Sequence, residues 1–334
     1  MKHKSVFILV TIMLVACLSC AKQVPTRYGM YYWRTQLEWS QEESAWADSQ
    51  GVETLYLRLF DVISDPTEPQ FGLRPEATLR MNEPRMADGL RGRMKSIVPV
   101  VFLGPGTVNE RVGNKLPLLA HMLLNRIDQV TEKNGLGKCQ EIQIDYDWTQ
   151  RNMQTYYNLL QLMADTLHRQ GRTLSTTIRL HQLAMQSPPV DRGVLMCYNT
   201  GRLTDPDEHN SILTIESVTP YLRHLPHYSL PLSLALPQYG WNLVFHDRKF
   251  CFIAPGLELN DTARFKRINA THYRALTYHA VTGTASAATN NMQRIYPGDI
   301  VRREDSSDSL NNVVMEMMRR VRPEITEEVV YYHN

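Results

Sequence analysis

The feature that most restricts how this chain can fold is a rhythm of short β-rich runs separated by helix-like stretches. Tyr28 to Arg34, Thr54 to Val62, Ser96 to Leu103, Gln140 to Asp147, Thr173 to Leu180, Val194 to Asn199 and Ser229 to Pro237 read as strands. Between most of them lie the helical stretches Glu38 to Ser49, Leu116 to Glu132, Arg151 to His168 and Ile215 to His224. Strands alternating with helices build a parallel sheet. Seven such units in one chain predict a single-domain α/β fold, a TIM-like (β/α)8 barrel, over residues 28–334. No glycine-rich dinucleotide fingerprint follows an early strand, which speaks against an open nucleotide-binding sheet.

The eighth unit is assigned to Asp299-Ile300-Val301-Arg302 followed by a helix from Ser309 to Val321. Residues 242–293 then form an insertion after the seventh strand, with a hairpin around Phe245 to Ala254. A second long connection, Ser64 to Arg93, is rich in Pro and Arg and is expected over the barrel mouth.

The chain opens with Lys2 and Lys4, an apolar stretch from Val6 to Ala16, and then Cys17. That is the layout of an export signal, too short in its apolar part to span a bilayer. Leu14-Val15-Ala16-Cys17 resembles a bacterial lipoprotein signal, so residues 1–16 are expected to be removed, Cys17 lipidated and residues 17–27 to act as a tether, with Cys20 as the alternative. With no acidic run after the cysteine, the expected location is the cell envelope, on the outer membrane facing the periplasm. Removing residues 1–16 takes away Lys2 and Lys4, and with them the whole formal charge of +2. A neutral mature chain gives no basis for nucleic-acid binding. Cys139, Cys197 and Cys251 lack zinc-type spacing, so neither a metal nor a cofactor is expected, and Cys139 and Cys197 read as core residues.

Chemistry concentrates in Glu141-Ile142-Gln143-Ile144-Asp145-Tyr146-Asp147-Trp148. Side chains two apart on a strand share a face, so Glu141, Gln143, Asp145 and Asp147 line one side of a strand whose neighbours imply burial. Two carboxylates at the carboxyl end of a barrel strand mark a site. The plainer alternative is a pre-helix segment with Thr149 as cap. Arg179 and His181 close the fifth strand, and Arg179 either contacts a ligand or pairs with Asp145 inside the barrel. On the second strand, alternation puts Arg58, Phe60 and Val62 on one face and Asp61 on the other.

Three of these strands together resemble the family 18 glycoside hydrolases, the chitinase-like barrels. Gln143, Asp145 and Asp147 fall where that family has Asp-x-Asp-x-Glu. Leu195-Met196-Cys197-Tyr198-Asn199 is similar to its Met-x-Tyr-Asp/Asn, and Pro237-Gln238-Tyr239-Gly240 to its Pro-x-Tyr-Gly turn. The whole chain also resembles a group of lipoproteins of gut and oral Bacteroidetes.

The family resemblance implies acetamido-assisted hydrolysis of an N-acetylhexosamine-containing glycan. Asp147 would be the proton donor, Asp145 would stabilise the charged intermediate, Tyr198 would hydrogen-bond the acetamido group and Asn199 would position it. Gln143 and Arg179 would complete the polar shell, while Trp33, Tyr239 and Trp241 would offer flat faces to sugar rings. Two positions depart from the family. Asp147 is one methylene shorter than Glu, and Gln143 cannot share a proton with Asp145. The family's eighth-strand Trp has no match near Asp299. A non-catalytic glycan-binding lipoprotein with a degenerate hydrolase site is therefore the alternative.

Overall fold

The computed structural model describes residues 26–69, 71–81, 84–284 and 291–333. Cys17, Cys20 and the signal segment lie outside them. Eight parallel strands close a barrel: β1 Arg27–Tyr32, β2 Val52–Ser64, β3 Ser96–Leu103, β4 Glu141–Tyr146, β5 Thr173–Arg179, β6 Arg192–Met196, β7 Leu232–Gln238 and β8 Glu328–His333. β8 pairs in parallel with both β1 and β7, and β1 pairs in parallel with β2, which closes the ring.

The eighth strand is therefore not the one the sequence reading assigned. Ile300–Asp305 is instead an interior strand of a five-stranded antiparallel sheet, paired with Gly240–His246 on one side and His272–Ala275 on the other. The inserted sheet thus extends from Gly240 to Asp305, beyond the expected 242–293. The reason is physical. After Ile300 and Val301 this strand runs through four charged residues, Arg302 to Asp305, a poor match to a barrel strand, whereas Glu328-Val-Val-Tyr-Tyr-His carries the β-branched and aromatic residues of a buried strand. The expected hairpin is present, with Gly240–His246 and Lys249–Ile253 turning through Asp247 and Arg248, both at positive φ (45° and 64°).

Helices Gln41–Ser49, Leu116–Lys133, Met153–His168 and Asp308–Val321 fall where expected. Ser40 caps the first through a reciprocal box with Glu43. The stretch from Ile215 keeps only one α turn, to Val218, and continues as a 3₁₀ helix to His227, because Pro220 and Pro226 withhold the N–H groups an α ladder needs. β5 and β6 are joined by no α-helix, only by the 3₁₀ turn Leu180–Ala184. In the connection after β2, Leu73–Glu76 pairs antiparallel with Asp61–Ser64 and so widens the sheet at its carboxyl edge.

The helices cover the outer faces of the strands through one large cluster that includes Leu55, Leu57, Ile142, Ile144, Tyr156 and Leu160. Inside the ring Tyr31, Tyr56, Val98, Val100, Val194, Met196, Ala235 and Val330 fill the lumen. Cys139 and Cys197 are buried and free. Among the described residues no helix is long and apolar enough to cross a membrane.

Candidate functional site

The lumen of the barrel is graded along its axis, and the gradation makes the site. At the amino end Arg192 pairs with Glu141 at 2.8 Å and with Glu328 at 2.7 Å, plugging that mouth. One layer up, Gln143 is fully buried, accepting from Tyr31 Oη at 2.7 Å and donating to Ser175 Oγ at 3.3 Å. Gln143 thus joins three strands beneath the mouth and presents no surface to a ligand.

Asp145 is the next polar residue towards the carboxyl end. It is 5% exposed, accepts from Thr177 Oγ1 at 2.6 Å, and lies 3.2 Å from Arg179 Nη2. Burial pushes its carboxyl above the ordinary carboxylate value, against the pull of Arg179 and Thr177, and the charges of Asp147 and Asp61 add to the rise. Asp147 stands just past the end of β4, with its side chain mostly exposed, and accepts from Arg179 Nε. The two carboxylates that share a strand face are therefore bridged by one guanidinium from β5. Burial lowers the hold of Arg179 on its proton, but Asp145 and Asp147 outweigh burial and raise it.

Around this bridge opens a depression of about 420 Å³, lined by Asp147, Arg179, His181, Tyr198, Asn199 and Tyr221 among others. Asn199 ends the turn after β6 in the left-handed region (φ 53°), a conformation that costs a non-glycine residue energy and recurs at functional sites. Tyr239 Oη donates to Asn199 Oδ1 and fixes its amide. The Tyr198 hydroxyl has no hydrogen-bond partner among the described residues; burial, above all, raises its pKa and keeps it a proton donor. Burial holds the His181 imidazole below its usual range, and Arg179 adds to that effect against the pull of Asp147.

Aromatic rings floor the mouth. Tyr332 of β8 lies 4.9 Å from Tyr198, 5.5 Å from Tyr239 and 6.2 Å from Trp33, measured between ring centroids. Trp33 also carries the Arg58 guanidinium over its face at 5.7 Å. Tyr239 is 8% exposed and packs edge-on against Trp241 at 5.4 Å, so it acts as a strut behind Asn199 rather than as an open platform.

The sequence reading placed Arg58 and Asp61 on opposite faces, and the structure overturns this. The pairing of β2 with β3 slips between Arg58 and Phe60, so Leu59 is an extra residue and the parity reverses. Arg58 Nε then donates to Asp61 Oδ1 at 2.7 Å beside the mouth. Tyr332, which the sequence reading missed along with β8, had a legible signal in the run Val329-Val330-Tyr331-Tyr332.

A closed (β/α)8 ring with paired carboxylates at the end of β4 and an aromatic-floored mouth is a TIM-like barrel with its polar groups gathered at the carboxyl ends of the strands. Among solved structures the chain is similar to the spore cortex-lytic enzyme SleL of Bacillus cereus, with TM-score 0.53 and 14% identity over 92% of this chain and 71% of that one. It is likewise similar to a chitinase from Chromobacterium violaceum ATCC 12472, with TM-score 0.54 and 12% identity over 92% of this chain and 94% of that one. At these identities the likeness is one of fold. No protein-family model and no curated protein matches the chain.

Proposed function

We propose that this protein is a lipid-anchored barrel of the bacterial cell envelope, facing the periplasm, that recognises an N-acetylhexosamine-containing glycan at its carboxyl mouth and holds it without cleaving it. The observation that carries this reading is the contrast between the groups suited to binding and the group suited to acid catalysis. The Tyr198 hydroxyl has no hydrogen-bond partner among the described residues and shares one depression with Asn199, which suits an acetamido-binding pair. Asp147 is instead engaged by Arg179. A carboxylate in a charge-assisted bond with a guanidinium is an acceptor, and proton donation from it requires that bond to break. The chitinase-like fold supports the glycan class.

Acetamido-assisted hydrolysis is the second reading, and the raised pKa of Asp145 favours it. In that case Arg179 would release Asp147 when substrate enters, Asp147 would protonate the glycosidic oxygen, and Asp145 would stabilise the acetamido-derived cation.

Calorimetric titration with N-acetylglucosamine oligomers tests recognition. Wild type should bind, and Tyr198→Phe, which deletes only the hydroxyl, should weaken binding by roughly threefold to tenfold. Equal affinities would remove Tyr198 from the site.

A further inference from the structure

The inserted sheet contains a fully buried ion pair that the reading above does not use. Arg302 is 0% and Glu304 2% exposed, and Arg302 Nε lies 2.8 Å from Glu304 Oε1. The Arg302 guanidinium stacks over Phe245 at 5.0 Å and donates to the carbonyls of Asp205 at 2.6 Å and Leu203 at 3.3 Å. The second carboxylate oxygen of Glu304 accepts from two places at once, Ser211 Oγ at 2.6 Å and Trp241 Nε1 at 2.8 Å.

These partners belong to three separate segments. Arg302 and Glu304 lie on an inserted strand, Trp241 follows β7, and Leu203, Asp205 and Ser211 lie in the loop after β6. That loop begins at Asn199, and Ser211 and Ile212 hold its first residues, with Gly201 N donating to Ser211 O at 3.1 Å and Thr200 N to Ile212 O at 3.3 Å. From Trp241 the contacts continue to Tyr239 and thence to Asn199 Oδ1. Glu304 therefore reaches Asn199 by two routes, one through the loop backbone and one through the edge-packed rings of Trp241 and Tyr239.

Stability alone does not account for the pair. Desolvating two charges offsets most of their attraction, and well-packed apolar side chains of similar volume commonly serve a core as well or better. What an apolar pair cannot supply is an oxygen at one fixed point that accepts from an indole and a hydroxyl carried by different segments.

We infer that Glu304 is a positioning residue for the glycan site: it sets the plane of Trp241 and the placement of the Asn199 loop. The inference rests on the proposed glycan reading for its function, but the geometry it asserts can be measured without any glycan.

Glu304→Gln strands a buried arginine, so the more informative variant combines Arg302→Met with Glu304→Leu, alongside Trp241→Phe and Ser211→Ala. The first readout needs no ligand. Subtracting the emission of a Trp241→Phe version isolates the Trp241 fluorescence in each background. In the double variant acrylamide should quench that component more strongly than in wild type, while circular dichroism stays unchanged. The second readout is affinity for N-acetylglucosamine oligomers. It should fall about tenfold in the double variant and in Trp241→Phe, and about threefold in Ser211→Ala, whose single lost hydrogen bond also serves if the double variant does not fold. Wild-type quenching of the Trp241 component in the double variant, or in Ser211→Ala should that one alone fold, would overturn the positioning role. So would wild-type affinity in a folded Trp241→Phe. Absence of binding by wild type itself would instead count against the glycan reading and leave the quenching result to decide the geometry.

Discussion

Arg179 Nη2 lies 3.2 Å from Asp145 Oδ1 at the carboxyl end of the barrel, and Arg179 is the only cation paired with that buried carboxylate among the described residues. The same guanidinium bonds Asp147, so one side chain governs the charge state of the mouth. Replacing Arg179 with Met leaves Asp145 uncompensated, and the expected loss is about 3–5 kcal/mol, the usual cost of breaking a buried pair from one side. Arg179→Lys should recover little of it, since a single ammonium cannot reproduce the fork that spans two carboxylates. Asp147→Asn, at a side chain that is 64% exposed, should change stability by less than about 1 kcal/mol. Urea denaturation of the three variants checks this, and equal losses for Arg179→Met and Asp147→Asn would contradict it.

The position of Asp145 also sets a pH dependence. Its folded pKa is raised above the ordinary 3.8, so the folded state favours the protonated carboxyl. The stability it contributes is fully present below that ordinary value and is lost as pH rises through the raised folded value. Asp145→Asn has no proton to lose. Across this acidic window the Tm of Asp145→Asn should climb relative to wild type and then level off. Parallel Tm curves would show that Asp145 titrates as an ordinary surface carboxylate.

Gln143 ties Tyr31 of β1 to Ser175 of β5 across the lumen. Gln143→Leu fits the volume but leaves the Tyr31 hydroxyl buried without an acceptor, at a cost of about 1–3 kcal/mol. A stability within a few tenths of a kcal/mol of wild type in chemical denaturation would mean that Tyr31 finds another partner.

Lipidation of Cys17 rests on the sequence alone. Mass spectrometry of protein purified from membranes should find acyl chains on Cys17 as the new amino terminus. A soluble form beginning further along the chain would reject the anchor, and acylation at Cys20 would move only the boundary.

What the sequence made legible follows from period and local chemistry. The alternation from Glu141 to Asp147 placed Gln143, Asp145 and Asp147 on one lumenal face, as found. Strand order brought Asp147 and Tyr198 to one depression, as parallel closure requires. The misses came from interactions with no local signature. A single inserted residue, Leu59, reversed the parity of Arg58 and Asp61, and nothing in the run Leu57 to Phe60 marks a bulge. Asp299 to Arg302 reads as a strand whichever sheet it joins, so only its partners, Gly240–His246 and His272–Ala275, exclude it from the barrel. The Arg302–Glu304 hub joins residues about a hundred positions apart and has no pattern along the chain.

The central claim is recognition without turnover at the mouth formed by Asp147, Arg179, Tyr198 and Asn199. The most direct measurement follows binding and reducing-end release together, on one preparation, with N-acetylglucosamine oligomers as probe. Wild type should bind saturably while releasing no reducing ends above the protein-free control. Asp147→Glu, which restores the longer acid, should show whether reach or the Arg179 bond limits chemistry, and the account expects no release there either. Release by wild type that falls about a hundredfold to ten-thousandfold in Asp147→Asn would contradict the account in favour of hydrolysis, and no binding across a broad glycan panel would reject both.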